Sequence, residues 1–461
     1  MRRPCITQRF SSFKKNIYFG LRPNMDKLDI ALVAKNHPLL YLLLPVFFLS
    51  LILFNHAYRI SHSSDKFLER QTIPAEHPGG FDYRYVYRQS TALKNSINDY
   101  LQVRYIYPPL TAVINLPLSL LKEDLAYKTF TYILAALFFL SIYVALKENL
   151  SHMLSTEKNT ILFLAIIIFS MAYNTYPVMF AIERGNCDII AALFSIVSLY
   201  AVTRNKMVLS IVFLTIAINY KLYPLILFAI ILSRFGWKTI PLIIFSNMLA
   251  LLALGYPGLR YFVHQLFFLH PFSMTIWEGN HSLYSFFNQL TAIINPIYLT
   301  PAFYFILCML ISIFTLIWIL HVTRGKTEEG SLQNPLSTFS DTEIGLIGMA
   351  FQLMALLPPV SHDYKLVILI VPYILLISRN TRQFQINPWW MLTIGMFLSI
   401  SMGFIFAIRY SIVGVNSVSY PFLVPLKTLA ILCNYLLFAI IAIISLMKRS
   451  GTEGNQIISP Q

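Results

Sequence analysis

The sequence predicts an all-α membrane protein, a polytopic bundle of about twelve transmembrane helices with a large first extracytoplasmic loop. Hydrophobic residues make up 57% of the 461 residues and charged residues only 12%, whereas soluble domains carry roughly one quarter charged residues. The apolar residues form continuous blocks of about 17–25 residues, the length at which a helix crosses a bilayer. Continuous blocks, unlike alternating ones, are typical of helices, so block length and composition together predict the fold class.

The charge pattern and the cysteine spacing exclude several kinds of binding partner and site. The net charge is +15, but the basic residues lie mainly at the ends of apolar blocks, where they set orientation in the membrane and do not indicate nucleic acid. The four cysteines are scattered without the spacing of a metal site or a disulfide framework. We therefore expect a membrane protein with no nucleic-acid partner and no zinc site, and we assign it no metal site and no cofactor. The cysteines are Cys5, Cys187, Cys308 and Cys433.

The chain divides into three regions. Residues 1–36 form a basic tail that we expect in the cytoplasm, residues 37–447 form the membrane domain, and residues 448–461 form a second cytoplasmic tail. The first span, 38–56, starts inside, so the polar and aromatic residues 57–105 are expected outside. Further apolar segments follow at 106–122, 127–146, 159–180, 187–203, 207–218, 222–233, 239–256, 297–321, 343–357, 366–378, 389–408 and 422–447.

The basic residues between segments predict which loops lie outside. The short segments 207–218 and 222–233 then form a hairpin with Lys221 at its outer tip. With the first span the apolar segments number thirteen, but both termini are expected inside, which requires an even number of crossings. We take 106–122 as re-entrant or interfacial, because three prolines interrupt it. Alternatively, 207–233 is a single span, which would place Arg204 and Lys206 outside.

This topology collects the unusual polar residues on the outer side. Ionisable groups at the ends of membrane helices are costly and usually face a cavity or a partner. A single such cluster is explained equally well by an anchor or a helix cap, but several clusters on one face favour a functional site. The residues are Asp82, Arg104, Tyr107, Arg184, Asn186, Asp188, Lys221, Asn280, His281, His362, Asp363 and Lys365.

These residue types suit a reaction at a lipid phosphate. Basic groups at the interface bind phosphate through charge-assisted hydrogen bonds, for which Arg104, Arg184, Lys221 and Lys365 are the candidates. A carboxylate such as Asp82 suits a general base that removes a proton from an acceptor hydroxyl, with Asp188 and Asp363 in reserve. The simpler interpretations are that Asp82 is a loop residue or helix cap and that Lys221 snorkels at a helix end.

At these motifs the chain resembles the polytopic glycosyltransferases of the C-type fold, and glycosyltransferase family 87 in particular, over residues 80–376. The motifs occur in the same order, and that order is more specific than any one of them. They are Asp82 with Tyr87, Tyr107-Pro108-Pro109, Gly185-Asn186, Lys221 with Pro224, Gly279 to Ser282, and Ser361 to Asp363.

The resemblance implies an inverting transfer of a hexose or pentose, mannose-like, from a polyprenyl-phosphate sugar to a lipid or glycan acceptor on the extracytoplasmic side. It implies Asp82 as the base. We expect a bacterial inner membrane as the location, and the basic residues at the ends of the spans predict that both termini lie in the cytoplasm. The four cations listed above would bind the donor phosphate. The remaining polar residues would contact sugar or acceptor: Asn186, Asp188, Asn280, His281, His362, Asp363 and Tyr107.

Two other functions use similar residues. A transporter or flippase of lipid-linked or anionic substrates would bind and release phosphate on the same cations, and a membrane acyltransferase commonly requires a deep histidine. Transporters often contain internal repeats with paired broken helices near the midplane. The sequence shows no such duplication, and its polar residues lie at one interface, which favours the enzyme. The sugar, the acceptor and the oligomeric state stay open at this point.

Overall fold

The structure is a computed structural model, and it describes residues 80–103, 107–150, 158–173, 175–266, 280–287, 341–358, 361–372 and 423–454, with Ser50 and a few single positions between 306 and 375. These residues belong to one compact unit, Phe48–Gln461. Within the described part of the chain every regular element is a helix, and one isolated β-bridge joins Asn280 to His362. The basic N-terminal tail, Arg104, the span 389–408 and most of the spans 38–56 and 297–321 lie outside the described residues.

The segment predicted as the first outer loop is mainly helical in its described part, residues 80–103. Helix α1 spans Phe81–Asn95 and α2 spans Ile97–Tyr100. Asp82 lies in the first turn of α1, while Gly80 takes the cap position with a φ of 81°. The interpretation of Asp82 as the helix cap is therefore wrong. The buried face of α1 repeats at helical spacing and consists of Asp82, Tyr83, Val86, Gln89 and Ser90.

The proline-rich segment 106–122 is broken into short pieces. Helix α3 covers Pro109–Ile114, and a 3₁₀ helix covers Leu116–Leu120. Six residues of α-helix measure about 9 Å, far less than the roughly 30 Å of a bilayer core. Neither piece is long enough to cross, as expected for a re-entrant or interfacial segment.

Among the described residues, two helices are long and apolar enough to cross a membrane, in the windows Glu123–Lys147 and Thr428–Ser445. They belong to α4, Glu123–Leu150, and to α13, Leu423–Gly454. Two further pairs qualify if each bent pair counts as one span. The count of about twelve crossings remains a prediction.

The first bent pair consists of α6, Tyr176–Arg184, and α7, Asp188–Thr203, with 113° between them. The second consists of α10, Ile240–Leu251, and α11, Gly255–His264, with a bend of 94°. Both bends occur where a glycine adopts a positive φ, at Gly185 and Gly255.

The predicted single span 159–180 is wrong. Helix α5 covers Lys158–Tyr173, and α6 starts separately at Tyr176 with Pro177 in its first turn. Proline has no backbone N–H and fixes φ, so it suits the first turn of a new helix and not the interior of a long one. Helix α6 therefore forms a bent pair with α7 and does not continue α5.

Shorter apolar helices complete the described fold. They are α8, Met207–Tyr220; a 3₁₀ helix, Tyr223–Leu227, followed by α9, Phe228–Phe235; a 3₁₀ turn, Trp237–Thr239; α12, Asp341–Leu356; and a 3₁₀ helix, Asp363–Leu369. The last of these begins the segment predicted at 366–378. Lys221 directly follows α8 and precedes the Tyr223–Leu227 turn, as the predicted hairpin places it.

Helix α7 lies at the centre of this arrangement. It packs against α4, α8 and the 3₁₀ helix Asp363–Leu369, which also packs against α6. Thirteen of its sixteen residues are buried, so its first residue, Asp188, is placed among several elements at once. By contrast, α8, α10 and α13 keep exposed apolar side chains, such as Phe245 and Leu436 at 64% and 57% exposure, which suits contact with lipid.

Candidate active site

The corner between α6 and α7 brings three predicted site residues together. Gly185 adopts the left-handed conformation at φ 64°; there the Asn186 N–H donates to the Ala181 carbonyl at 2.8 Å. Such a glycine ends a helix and frees the chain to turn. The next helix starts at Asp188, whose N–H donates to the Asn186 side-chain oxygen at 2.8 Å. Arg184, Asn186 and Asp188 therefore lie at one bend.

The start of helix α1 packs closely against the backbone of this corner. The Gly80 N–H donates to the Glu183 carbonyl at 3.0 Å, and the Tyr127 hydroxyl of α4 donates to the same carbonyl at 2.6 Å. An added Cβ at Gly185 would lie 2.5 Å from Cβ of Tyr83. This approach leaves space only for glycine, and it places Asp82 opposite Arg184 and Asn186.

Asp82 accepts three hydrogen bonds at this junction. Arg184 donates from Nε to Oδ2 at 3.1 Å and from Nη2 to Oδ1 at 3.0 Å, and Asn186 donates from Nδ2 to Oδ2 at 2.7 Å. Burial alone raises the pKa of the Asp82 carboxyl, but Arg184, Lys221 and Asn186 outweigh burial and hold this pKa below its ordinary value. Asp82 is consequently ionised at neutral pH, as a general base must be.

Aromatic rings surround the Arg184 guanidinium. Its carbon lies 4.9 Å from the ring centre of Phe81, 5.5 Å from that of Phe180 and 5.6 Å from that of Tyr364. Ring faces at these distances attract a cation and pack against its plane. The guanidinium is therefore held near Asp82 by two kinds of contact.

A second carboxylate lies at the start of α7. Asp188 is fully buried; its Oδ1 accepts a short hydrogen bond from the Tyr223 hydroxyl, while Oδ2 has no hydrogen-bond partner. A buried acceptor left without a donor costs about 1–3 kcal/mol. Asp188 thus offers an acceptor position that a bound hydroxyl group would satisfy.

Lys365 lies beside this second carboxylate. Its Nζ is 5.3 Å from the ring centre of Tyr223. Burial lowers the pKa of Lys365 to about 7, with Asp188 opposing the shift and Lys221 adding to it. Tyr223 was missed by the sequence analysis, although its position two residues after Lys221 and directly before Pro224 marked it as part of the same motif.

Lys221 completes the group of cations. Its Nζ lies 4.9 Å from the ring centre of Tyr107, a buried side chain on the segment before α3. Lys221 is close enough to Asp82 and Lys365 to shift the pKa of each. Three predicted cations, Arg184, Lys221 and Lys365, therefore share one cluster with two carboxylates.

Asn280 and His281 join loops in the structure. Asn280 Oδ1 accepts from the Ser361 N–H at 2.8 Å and from the Ser282 N–H at 3.2 Å. His281 Nε2 lies 3.0 Å from the Ser361 hydroxyl, and the His281 carbonyl accepts from the Thr428 hydroxyl of α13 at 3.0 Å. Both side chains therefore hold the loop 280–287 against the turn that precedes Lys365.

His362 connects the loop 280–287 with the Arg184 cluster, because its backbone forms the β-bridge with Asn280. Its ring centre is 5.2 Å from that of Tyr364, which also contacts Arg184. Burial lowers the pKa of His362 to about 3; Lys365 adds to this shift and Asp82 opposes it. His362 is neutral at physiological pH and offers hydrogen bonds without charge.

Two predicted site residues lie partly or wholly outside the described positions. Asp363 begins the 3₁₀ helix that carries Lys365, but its side chain is not among the described positions, and Arg104 lies outside them altogether. Across the described positions, no group of three or more His, Cys, Asp and Glu side chains is arranged to hold a metal ion.

The comparison with protein families agrees with the motifs. The model of glycosyltransferase family 87 matches residues 105–339, just over half of the 461 residues. The match includes Arg184, Asn186, Asp188 and Lys221, whereas Asp82 precedes it and the residues from Ser361 onward follow it. No curated protein matches the chain. The resemblance to this family predicted from the sequence is confirmed.

Proposed function

Because the chain belongs to glycosyltransferase family 87, we propose that it transfers a hexose or pentose, mannose-like, from a polyprenyl-phosphate sugar to a lipid or glycan acceptor, with inversion, on the extracytoplasmic side of the membrane. The observation that carries this proposal is one cluster in which the Asp82 carboxylate is ion-paired with Arg184 and lies within electrostatic reach of Lys221. A base and phosphate-binding cations are the groups that such a transfer requires.

The charges of the cluster suit a phosphodiester. Arg184, Lys221 and a protonated Lys365 contribute three positive charges, and the two buried carboxylates contribute two negative charges. Among the described side chains this leaves an excess of one positive charge, which attracts the single negative charge of a polyprenyl-phosphate sugar. When the bond to the sugar breaks, the leaving phosphate gains a second negative charge, which the same cations stabilise more strongly in the transition state than in the bound substrate.

In the proposed reaction, the acceptor hydroxyl donates its proton to the Asp82 carboxylate while its oxygen attacks the anomeric carbon. The bond from that carbon to the phosphate oxygen breaks, and its electron pair stays on the phosphate. The attack occurs on the face opposite the phosphate, so the configuration at the anomeric carbon inverts. We propose that Arg184, Lys221 and Lys365 bind the phosphate, and that Arg104 contributes to the same group.

The remaining residues divide into two proposed roles. The unpaired Asp188 Oδ2 and the neutral His362 are suited to hydroxyl groups of the sugar or acceptor, with Tyr107 offering a flat apolar face. Asn186 is suited to holding Asp82. Asn280 and His281 are proposed to contribute to sugar or acceptor binding by holding together the two loops that they join. Asp363, at the start of the same turn, is proposed as a sugar or acceptor contact.

A transfer assay tests the proposal. Membranes containing the chain are incubated with a panel of radiolabelled polyprenyl-phosphate sugars, and label moving to acceptor is measured. We expect Asp82→Asn to lower the rate about 10²–10⁴-fold, the usual contribution of a general base, with normal amounts of inserted protein. The control is Asp124→Asn, because Asp124 is an exposed carboxylate whose ion pair is with Lys128. Full transfer by Asp82→Asn would remove Asp82 from the mechanism.

A second variant tests the cations. We expect Lys221→Ala to raise the concentration of sugar donor needed for half-maximal transfer, because a phosphate contact is lost. An unchanged dependence on sugar donor would mean that Lys221 only snorkels beside Tyr107.

A further inference from the structure

We propose that Arg184 is shared between Asp82 and the phosphate of the sugar donor, so that Asp82 becomes available to the acceptor hydroxyl only after the donor binds. This inference rests on the proposed function and adds an order of events to it. In the structure the guanidinium holds Asp82. When the phosphate arrives, the guanidinium turns to the phosphate, and Asp82 stays in place through Asn186.

Both oxygens of the Asp82 carboxylate already accept hydrogen bonds. Oδ2 accepts from both Arg184 and Asn186, and Oδ1 accepts from Arg184. Bidentate pairing with arginine is the strongest arrangement that a carboxylate commonly makes. Hydrogen bonds to the ionised form also weaken a carboxylate as a base, consistent with the low pKa of Asp82. An acceptor hydroxyl would have to compete with all three bonds.

The two hydrogen-bond partners of Asp82 are anchored differently. Asn186 is fixed at both ends of its amide, because Nδ2 donates to Asp82 and Oδ1 accepts the Asp188 N–H at 2.8 Å. Arg184 instead ends a long side chain that lies among ring faces. Ring faces attract a cation over a range of positions, so the guanidinium can turn without leaving them. Asn186 is therefore the positioning residue, and Arg184 is the exchangeable one.

A phosphate is suited to compete with Asp82 for the Arg184 guanidinium. A phosphate presents two oxygens to the planar fork of arginine just as a carboxylate does. Lys221 and Lys365 already concentrate positive charge beside Asp82 and Asp188, and a phosphate drawn to them would come within reach of Arg184. Transfer of Arg184 to the phosphate leaves Asp82 with one remaining hydrogen bond, from Asn186.

Competition for one guanidinium makes a specific prediction about binding. If Asp82 and the phosphate compete for Arg184, weakening the Asp82 interaction must tighten phosphate binding, and this gain must depend on Arg184. A general removal of negative charge from the cluster would tighten binding whichever carboxylate was removed. Asp188 is the matched control, since it is also buried and close to Lys365 but is not bonded to Arg184.

The experiment measures binding of polyprenyl monophosphate, which carries the phosphate and lipid but no sugar, to the purified full chain. Asp82→Asn is expected to tighten binding about tenfold, equivalent to about 1.4 kcal/mol. Asp188→Asn is expected to change it less than about threefold, and Asp82→Asn in an Arg184→Gln background less than about twofold. If Arg184→Gln fails to fold, Arg184→Lys replaces it, and the gain from Asp82→Asn should shrink because lysine cannot pair with both oxygens.

Three results would overturn the proposal. They are no gain with Asp82→Asn, an equal gain with Asp188→Asn, and an equal gain with and without Arg184. Each of these leaves the proposed function standing, since the phosphate still binds. By contrast, wild-type protein that does not bind polyprenyl monophosphate at all would overturn the proposed function, and the sharing of Arg184 with it.

Discussion

Substituting Gly185 by alanine tests how closely catalysis depends on the corner between α6 and α7. Gly185 has a φ of 64°, and an added Cβ would lie 2.5 Å from Cβ of Tyr83. Carbon atoms in favourable contact are about 3.5–4.0 Å apart. The backbone of α1 must therefore move away by about 1 Å or more, because Cβ of Tyr83 is attached directly to that backbone and cannot rotate aside.

The expected loss of activity follows from that displacement. Tyr83 is next to Asp82, and Gly185 is next to both Arg184 and Asn186, so the shift acts directly on the 2.7–3.1 Å bonds between them. A misplacement of about 1 Å in a catalytic arrangement can cost about 10²-fold in rate. We expect Gly185→Ala to lower transfer about 10²-fold. Alanine in the left-handed conformation adds a stability cost of about 1–2 kcal/mol.

The control separates the displacement from the backbone cost. Gly255 has a φ of 69°, and an added Cβ there would meet only Pro257 Cδ at an ordinary 3.7 Å. Gly255→Ala therefore imposes a similar positive-φ strain without pushing α1. Transfer rate and thermal unfolding midpoint are measured on both purified variants. If Gly185→Ala keeps the transfer rate of Gly255→Ala, the corner does not position Asp82.

Two further predictions concern Lys365 and Asn280. Burial lowers the pKa of Lys365 to about 7, and a bound phosphate would raise it, so binding of the sugar donor takes up a proton. KM for the sugar donor should therefore rise above about pH 7, by at most tenfold per pH unit. Lys365→Arg should remove that rise, because arginine stays charged. A flat KM between about pH 7 and 9 in the wild type would contradict this. Asn280→Ala removes the side-chain oxygen that accepts from the buried N–H groups of Ser361 and Ser282. We expect a loss of about 1–3 kcal/mol of stability, with transfer per folded molecule preserved. A loss of transfer at unchanged melting temperature would instead indicate substrate contact.

The sequence predicted the membership of the site better than its contacts. Positive charges at loop ends predicted that Asp82, Arg184 and Lys221 lie on one side of the membrane, and the structure brings the three side chains into one cluster. The bidentate pairing of Asp82 with Arg184 was not predicted. It depends on residues 102 positions apart that meet where helix α1 packs on the corner, with the Gly80 N–H bonded to the Glu183 carbonyl, and such packing has no periodic signal.

The broken span shows a different limit. Residues 159–180 are uncharged and mostly apolar, so hydropathy alone joins them into one helix. The break between Tyr173 and Tyr176 is marked by Pro177 in the sequence, and greater weight on that proline would have ended the helix there. The consequence matters for the site, because α6 ends at Arg184 and its direction sets where the guanidinium lies.

Asn280 and His281 illustrate a third case. A polar Gly-Asn-His-Ser stretch in an outer loop predicts substrate contact and a structural turn equally well from sequence alone. The structure shows the side-chain oxygen of Asn280 bonded to backbone N–H groups and His281 bonded to Ser361. Whether an Asn side chain faces backbone or cavity depends on the loop that packs against it, here 81 residues away in sequence.

The pairing of charges explains how several charged groups can be buried together in this cluster. Unpaired charges are costly in a medium of low dielectric constant, and here Arg184 is neutralised by Asp82 while Lys365 lies near Asp188. A site that is neutralised in this way cannot bind a phosphate at full strength without releasing at least one pair. The pair most suited to release is the one whose cation has the geometry to serve both anions, and that cation is Arg184. In the proposed mechanism, the ion pair that stabilises these buried charges therefore also keeps Asp82 from acting as the base until the phosphate is present.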